Sequence, residues 1–533
     1  MTATLAPTAR TGSAALPPAG TPHTGKPAQR RAVPNRWATL AVLCVSLLVI
    51  VVDTTIVNVA LPTLARQLHA TTSGLQWIVD GYTLPFAALL MLAGTLADRY
   101  GRHRALAGGL AVFAGGSLAA ALTHTTAELI AARAVMGVGA AFIMPATLSL
   151  LTSVFTDPAE RAKAIGLWTA VSGLGVAIGP TAGGWLLAHF SWDSVFVVNL
   201  PVAGAALAAS WWLVPASRAP RARRLDLAGA VLSAAGFGVL TYALIMAPQA
   251  GWASATTMGR AAAAAVLLAV FVVWEMRTPE PMLPLALLRD RRFSGAALAI
   301  TLLFFALAGG VFLLTQIYQF VLGYSPLAAG VRALPSALML VVASPVGAKL
   351  AQRFGTLVPV LAGMVMVTAG LGLFATATAG STYAHYVTAM VIMSAGIGLA
   401  MAPATESVMS SLPPALAGIG SAVNDTTRNL GSVLGVAVGG SVAASVYASR
   451  MTATGHLVPA AARQSVGAAA AIAGHIGGAP GAALFHNAAA AFVSGADRGV
   501  LVAAITTLAG TVATAYALHG RGALRAAPAA AAG

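Results

Sequence analysis

The chain has 533 residues, of which 58% are hydrophobic and only 8% charged, with a mean hydropathy of +0.83. A water-soluble protein of this length exposes far more charge, so the composition excludes a soluble fold and points to a polytopic membrane protein. The net charge of +16 brings nucleic acid to mind, but the basic residues collect in alternate loops, the pattern that orients membrane spans, so no nucleic-acid partner is expected. The single cysteine, Cys44, lies inside an apolar run, which excludes a disulfide framework and a Cys-based metal site.

Residues 1–36 are rich in Pro, Thr, Ala and basic side chains and have no apolar core, so they read as a disordered cytoplasmic arm rather than a cleavable signal peptide. Gly20 to Pro27 spells G-x-x-x-x-G-K-P, one residue short of a phosphate-binding loop. The required Ser or Thr is a Pro, and no strand precedes it, so nucleotide binding and ATP drive by this chain are set aside.

Apolar runs of about 20 residues, the length that crosses a hydrocarbon core, number about fourteen. They lie near 37–61, 75–97, 105–123, 127–149, 162–187, 194–214, 226–247, 259–276, 293–316, 331–351, 356–378, 384–408, 417–447 and 497–518. The thirteenth is too long for one upright span, so part of it tilts or leaves the membrane. Loops on the N-terminal side carry a dense set of Arg and Lys, among them Arg99, Arg102, Arg104, Arg161, Lys163, Arg277, Arg289 and Arg353, while opposite loops carry few. Both termini are therefore expected in the cytoplasm, with the chain multi-pass in the cell (inner) membrane. For the Ala/Gly-rich outer segment 450–487, which is only weakly amphipathic, a surface-lying helix and a plain loop stay open.

An internal echo divides the chain. Ala93-Gly-Thr-Leu-Ala-Asp-Arg-Tyr-Gly101 after the second span returns as Gly347-Ala-Lys-Leu-Ala-Gln-Arg-Phe-Gly355 after the tenth, and Gly137-x-Gly139 with Pro145-Ala-Thr147 returns as Gly396-x-Gly398 with Pro403-Ala-Thr405. The expected organisation is all-α: a six-helix bundle at 37–214, two inserted helices with linkers at 215–292, a second six-helix bundle at 293–518, and a cytoplasmic tail at 519–533. Repeats of this kind mark transporters, with substrate bound near the midplane between the halves.

Asp53 interrupts the first apolar run deep in the membrane, where an ionised carboxylate costs at least ~2.5 kcal/mol and by default faces the bundle interior with a function. Asp53, Asp80 and Arg133 lie about eight, five and six residues from the outer ends of spans 1, 2 and 4, within a few ångströms of one depth. Two carboxylates and one guanidinium at one level can share a proton; a static buried ion pair is the bland alternative. Asp80 is the weaker acid candidate, close enough to the outer end to reach interfacial water.

Gly94 to Arg104 reads G-T-L-A-D-R-Y-G-R-H-R in a short turn, where Gly94 permits close helix approach, Gly101 a tight turn, and Asp98 charge pairs with its Arg neighbours. This string resembles the signature between spans 2 and 3 of the major facilitator superfamily. The resemblance implies a conformational lock carried by Gly94, Asp98, Arg99, Gly101 and Arg102, with Asp98 and Arg99 bearing on the opposite half; the second copy has Gln352 in place of the acid. Gly175-Val-Ala-Ile-Gly179-Pro180-Thr-Ala-Gly183-Gly184 in span 5 resembles the motif of proton-coupled antiporters within that superfamily, and Arg133 with Gly137 and Gly139 resembles a motif whose buried Arg takes part in proton coupling.

Asp53-Thr-Thr-Ile-Val-Asn58-Val-Ala-Leu-Pro62 is similar to the first-span motif of the fourteen-span drug:proton antiporters. So are Gln76-Trp77 with Tyr82, Gln319 with Gly323-Tyr-Ser-Pro326, and Arg428-Asn-Leu-Gly431, while Ile317 stands where relatives often carry Tyr. Gln319, Glu406, Asp425 and Arg428 are candidate substrate or proton contacts, with helix-end charge the plain alternative for the last three. Met136, Phe142, Met144, Trp168 and Phe305 are candidates for an adaptable apolar cavity.

The resemblance implies an exporter of lipophilic small molecules, antibiotics or similar compounds, that rocks two halves around a central cavity. It implies drive by the proton gradient without a cofactor, and a monomer. A siderophore, amino-acid derivative or lipid is the alternative cargo. No G-x-S-x-G, H-E-x-x-H or Cys/His cluster supports a membrane enzyme.

Overall fold

The computed structural model describes residue 2 and residues 35–217, 226–281, 285–411, 417–453 and 458–518. Nearly all of the expected N-terminal arm, and the whole tail at 519–533, lie outside the described residues. Among the described residues, fourteen helices are long and apolar enough to cross a membrane, and each overlaps one of the apolar runs of the sequence. In a solvent without hydrogen-bonding partners every backbone amide has to be satisfied within its own helix, which is why hydropathy alone locates the spans.

The first bundle holds α1 (Arg36–Gln67), α2 (Thr72–Tyr100), α3 (Arg102–Ala121), α4 (Thr126–Val154), α5 (Pro158–His189) and a sixth span made of α6 (Ser194–Val197) and α7 (Asn199–Leu213). Caps fix its turns: Asn35 accepts from the amides of Trp37 and Ala38, and Thr125 with Glu128 forms a capping box at the start of α4. The inserted pair is α8 (Leu227–Ala250) and α9 (Ala255–Arg277); only 11% of the apolar window of α9 is buried, so α9 is a peripheral helix with its sides open to lipid.

The second bundle runs α10 (Arg291–Gln316), α11 (Pro326–Phe354), α12 (Leu357–Phe374), α13 (Tyr383–Ser410) and α14 (Ala417–Ala453). It ends with α15 (Ala460–Gln464), α16 (Val466–Ile476) and α17 (Gly478–Leu518). The repeat seen in sequence is a repeat in backbone. Gly101 (φ 114°) separates α2 from α3, and Gly355 (φ 78°) separates α11 from α12, each in the conformation that glycine adopts without a Cβ penalty. The bundles meet along two crossings, α2 with α14 and α5 with α11, and α8 packs on both α2 and α14.

The long run after span 12 is one continuous 37-residue helix, α14. The described part of the segment 450–487 is neither a plain loop nor a detached surface helix. Its α16 packs on α17 and lies over the end of α1, where Gly467 sits against Phe320 and Ala65, and Tyr447 donates to the carbonyl of Ala462 at 2.7 Å. The last span also starts earlier than hydropathy suggests: α17 has 41 residues, about 60 Å of helix and twice the hydrocarbon thickness. Its Ala-rich first half has high helix propensity, so the helix continues outside the apolar window.

Candidate functional site

Asp53, near the middle of α1, is completely buried. One carboxylate oxygen accepts from Arg133 Nη1 of α4 at 2.5 Å and the other from Asn199 Nδ2 of α7 at 2.9 Å. The same Asn199 amide reaches Ser117 Oγ of α3 at 3.1 Å, and that hydroxyl donates to the carbonyl of Phe196 at 2.9 Å. Arg133 is held on its other sides by α2: its Nε donates to the Ile78 carbonyl at 3.2 Å, and its guanidinium lies 4.2 Å from the ring centroid of Tyr82. Five elements of the first bundle thus converge on one ion pair without water access.

Such a pair is expensive to create and worse to break. Removing one partner of a buried ion pair leaves an uncompensated charge and costs roughly 3–5 kcal/mol, whereas replacing both is often nearly neutral. The close packing that seats the pair comes from glycines. A Cβ on Gly137 would run into the carbonyl of Tyr82, and one on Gly139 would fall 2.6 Å from the amide of Phe113. Gly175, Gly179 and Gly183 of α5 lie flat against α1 at Val51, Thr55 and Ile56, on either side of Asp53.

Asp80 departs from the expectation. It is completely buried rather than near interfacial water, and among the described residues neither of its oxygens has a hydrogen-bond partner, so it does not join the Asp53–Arg133 pair. It sits one helical turn from Gln76, on the face of α2 that meets α14. Gln76 crosses to the second bundle: its Nε2 donates to the carbonyls of Val436 (3.1 Å) and Ala437 (3.0 Å) and to Ser441 Oγ (3.2 Å). A Cβ on Gly440 would lie 2.6 Å from that amide nitrogen, so glycine makes room for the latch.

Further crossings stand at the same face, the one opposite the start of α1. Gln319, in a π-helical turn Ile317–Val321, donates to the carbonyl of Val59 at 2.8 Å. Thr72 reaches the carbonyl of Gln464 at 3.3 Å. Of the antiporter-type string, Gly184 lies on Pro326 and Leu327 of α11, and the Pro180 carbonyl meets Gly330. The molecule is therefore closed at this far face. Away from that face, Leu167 and Leu174 of α5 and Val342 and Phe354 of α11, from the middle of each helix to its opposite end, are exposed.

Among the described residues, the side chains of Asp98 and Arg102 pair within their own bundle. Asp98 pairs with Arg102 at 2.8 Å rather than with Arg99, and Arg102 also donates to the Ser149 carbonyl of α4 at 3.2 Å. Arg99 lies beside Tyr100 instead, 5.7 Å from its ring centroid. Gly94 faces Pro145 at ordinary contact distance. In the second bundle Asp425 and Arg428 stand 4.0 Å apart, Arg428 donates to Thr405 Oγ1 at 3.3 Å, and Glu406 is exposed on α13. Among the described residues these three do not form one cluster with Asp53. Of the apolar candidates, Met136 is fully buried beside Arg133 and Phe305 is buried against Gly435.

Sequence reasoning missed Asn199 and Ser117, the neutral partners of Asp53. Their signal was available: each is a lone polar side chain inside an apolar run, and buried polar groups are hydrogen-bonded.

Residues 43–436 match the model of the Major Facilitator Superfamily. The chain is 39% identical to the multidrug resistance protein Stp of Mycobacterium tuberculosis (strain CDC 1551 / Oshkosh) over 76% of this chain and 75% of that one. It is 35% identical to the multidrug efflux pump LfrA of Mycolicibacterium smegmatis over 93% of this chain and 99% of that one. In three dimensions it superposes on a crystal structure of a bacterial homolog of the human lysosomal transporter Spinster, in an inward-facing and occupied conformation, with TM-score 0.63, 17% identity, and coverage of 91% and 97%. Two halves closed at one face, the span-4 arginine paired with the span-1 aspartate, and these likenesses agree: the chain belongs to the major facilitator superfamily.

Proposed function

We propose that this transporter exports lipophilic small molecules, antibiotic-like compounds among them, from the cytoplasm in exchange for protons. In this reading it spans the cell membrane as a monomer, with both termini cytoplasmic and the far face outward. It uses no cofactor and performs no catalytic step; the proton gradient supplies the energy. The multidrug names of the relatives support the cargo class, and the arginine-rich loops on the near side support the orientation.

The observation that carries the coupling is the Asp53–Arg133 pair, buried in a membrane bundle and tied to three other elements, α2, α3 and α7. Protonation of Asp53 removes the charge that holds Arg133, and the freed guanidinium then favours a different packing of α1, α2 and α4. Because α1 carries the Val59 carbonyl that Gln319 grips, and α2 carries Gln76, a shift at the pair is passed to the far-face crossings. Asp80, buried behind Gln76 without a partner, is the second proton site in this scheme.

The test uses cells stripped of their own exporters and loaded with ethidium. Expression of the chain is expected to lower steady-state accumulation, and a protonophore is expected to restore it. Unchanged accumulation across a panel of lipophilic compounds, or efflux that survives collapse of the gradient, would contradict the proposal.

A further inference from the structure

The Gly323-Tyr-Ser-Pro326 motif is not used by the coupling scheme, and its surroundings are unusual. Ser325 caps α11 by accepting from the Ala328 amide at 3.2 Å, and Gly323 (φ 68°) turns the chain so that Tyr324 folds back, its amide on the Tyr318 carbonyl at 2.9 Å. Three tyrosines meet there: ring centroids of Tyr318, Tyr324 and Tyr383 are 5.9, 5.9 and 6.4 Å apart, with planes inclined at 53° to 71°. Tyr318 is buried beneath, while Tyr324 and Tyr383 are half-buried and open toward the far face.

A cation already sits on this cradle, and it belongs to the chain. The Arg332 guanidinium lies 4.1 Å from the Tyr324 centroid and 5.8 Å from that of Tyr383. Its hydrogen bonding is thin: Nη1 donates to the Ala328 carbonyl at a long 3.4 Å. Among the described residues no carboxylate forms an ion pair with it. Tyr383 in turn donates its hydroxyl to the Arg332 carbonyl at 3.1 Å, which holds that ring in place whatever the Arg332 side chain does. A half-buried positive charge is thus stabilised by ring faces rather than by an acid. Ring faces hold weakly hydrated organic cations by the same quadrupole attraction, and do so best where the site is partly desolvated.

We propose that the Tyr318–Tyr324–Tyr383 cradle is a binding site for quaternary-ammonium-type organic cations, occupied in the closed far face by Arg332 as an internal competitor. An incoming cation displaces the guanidinium into solvent and takes its place over Tyr324. The site stands one residue from Gln319, whose amide holds α1, so it borders the crossing that must open at this face. Naming it an exit-side site rests on the proposed direction of export; its binding chemistry does not.

The test is titration calorimetry on the detergent-purified full chain, without any gradient, so a protein that fails to export still answers. The probes are choline and its uncharged isostere 3,3-dimethylbutan-1-ol. Arg332→Ala, which removes the competitor, is expected to tighten choline about tenfold and to leave the isostere unchanged. Arg332→Gln keeps a donor for the Ala328 carbonyl and is expected to show the same gain, which covers the case in which the alanine variant does not fold. Adding Tyr324→Leu to either variant is expected to abolish the gain. Choline affinity unchanged in the folded Arg332 variants, an equal gain for the isostere, or a gain that survives Tyr324→Leu would each overturn the proposal.

Discussion

The buried pair makes a quantitative demand on a double-mutant cycle. Asp53→Asn keeps the shape of the side chain and leaves Arg133, 1% exposed, with the Ile78 carbonyl and the Tyr82 face as its remaining support. Arg133→Met leaves Asp53, 0% exposed, with only the Asn199 amide. Each single change orphans a buried charge, for which about 3 kcal/mol is the lower end of the usual penalty. The lower end applies because each survivor keeps one hydrogen bond with a neutral group, Arg133 donating to the Ile78 carbonyl and Asp53 accepting from Asn199. The double variant buries two neutral side chains and is expected to cost no more than either single, an interaction energy of about 3 kcal/mol. Unfolding in mixed micelles titrated with a denaturing detergent reads all four corners. All three variants are expected to lose proton-driven export, so stability rather than transport discriminates. Additive penalties, with the double variant near the sum of the singles, would refute the claim that the two charges support each other.

Other expectations follow from the same geometry. Gln76→Leu removes the amide whose two N–H groups serve three acceptors across the bundles, a loss of roughly 2 kcal/mol at about 1 kcal/mol per N–H donor. In a Cys44→Ser background, Ser441→Cys should then react with an impermeant maleimide several-fold faster than with Gln76 present. Arg102→Gln is expected to reduce transport more than Arg99→Gln, because Arg102 pairs with Asp98 and spans to α4. The pair is partly exposed and worth at most about 1 kcal/mol, so thermal stability should hardly move while transport rates differ. Asp80 has no hydrogen-bond partner to lose; Asp80→Asn should therefore fold as stably as the parent while changing the number of protons exchanged per substrate, read by paired flux measurements.

How much of this was legible in the sequence follows from what each feature depends on. Spans and bundle division were readable, because lipid forces long helices and because the Gly101 and Gly355 turns recur at the same place in each half. Asp53 and Arg133 were readable by depth, since a charge in an apolar run is conspicuous on its own. What depends on rotation about a helix axis was not. Asp80 shares the level of Asp53, yet it lies on the α14-facing side of α2 with Gln76, and depth counting carries no azimuth. Asp98 had three nearby arginines to choose from, and only the turn at Gly101 selects Arg102. The segment after α14 lacked a strong amphipathic stripe because its helices pack on α17 and α1 through alanine and glycine, which hydropathy scarcely weights.

The most direct test of the account is proton release in proteoliposomes. A transported lipophilic compound is added against an imposed pH gradient, with the parent chain beside Asp53→Asn. The account predicts that the compound dissipates the gradient through the parent and not through the variant. Exchange of protons at the parental rate by Asp53→Asn would contradict it, leaving the Asp53–Arg133 pair as a structural clamp.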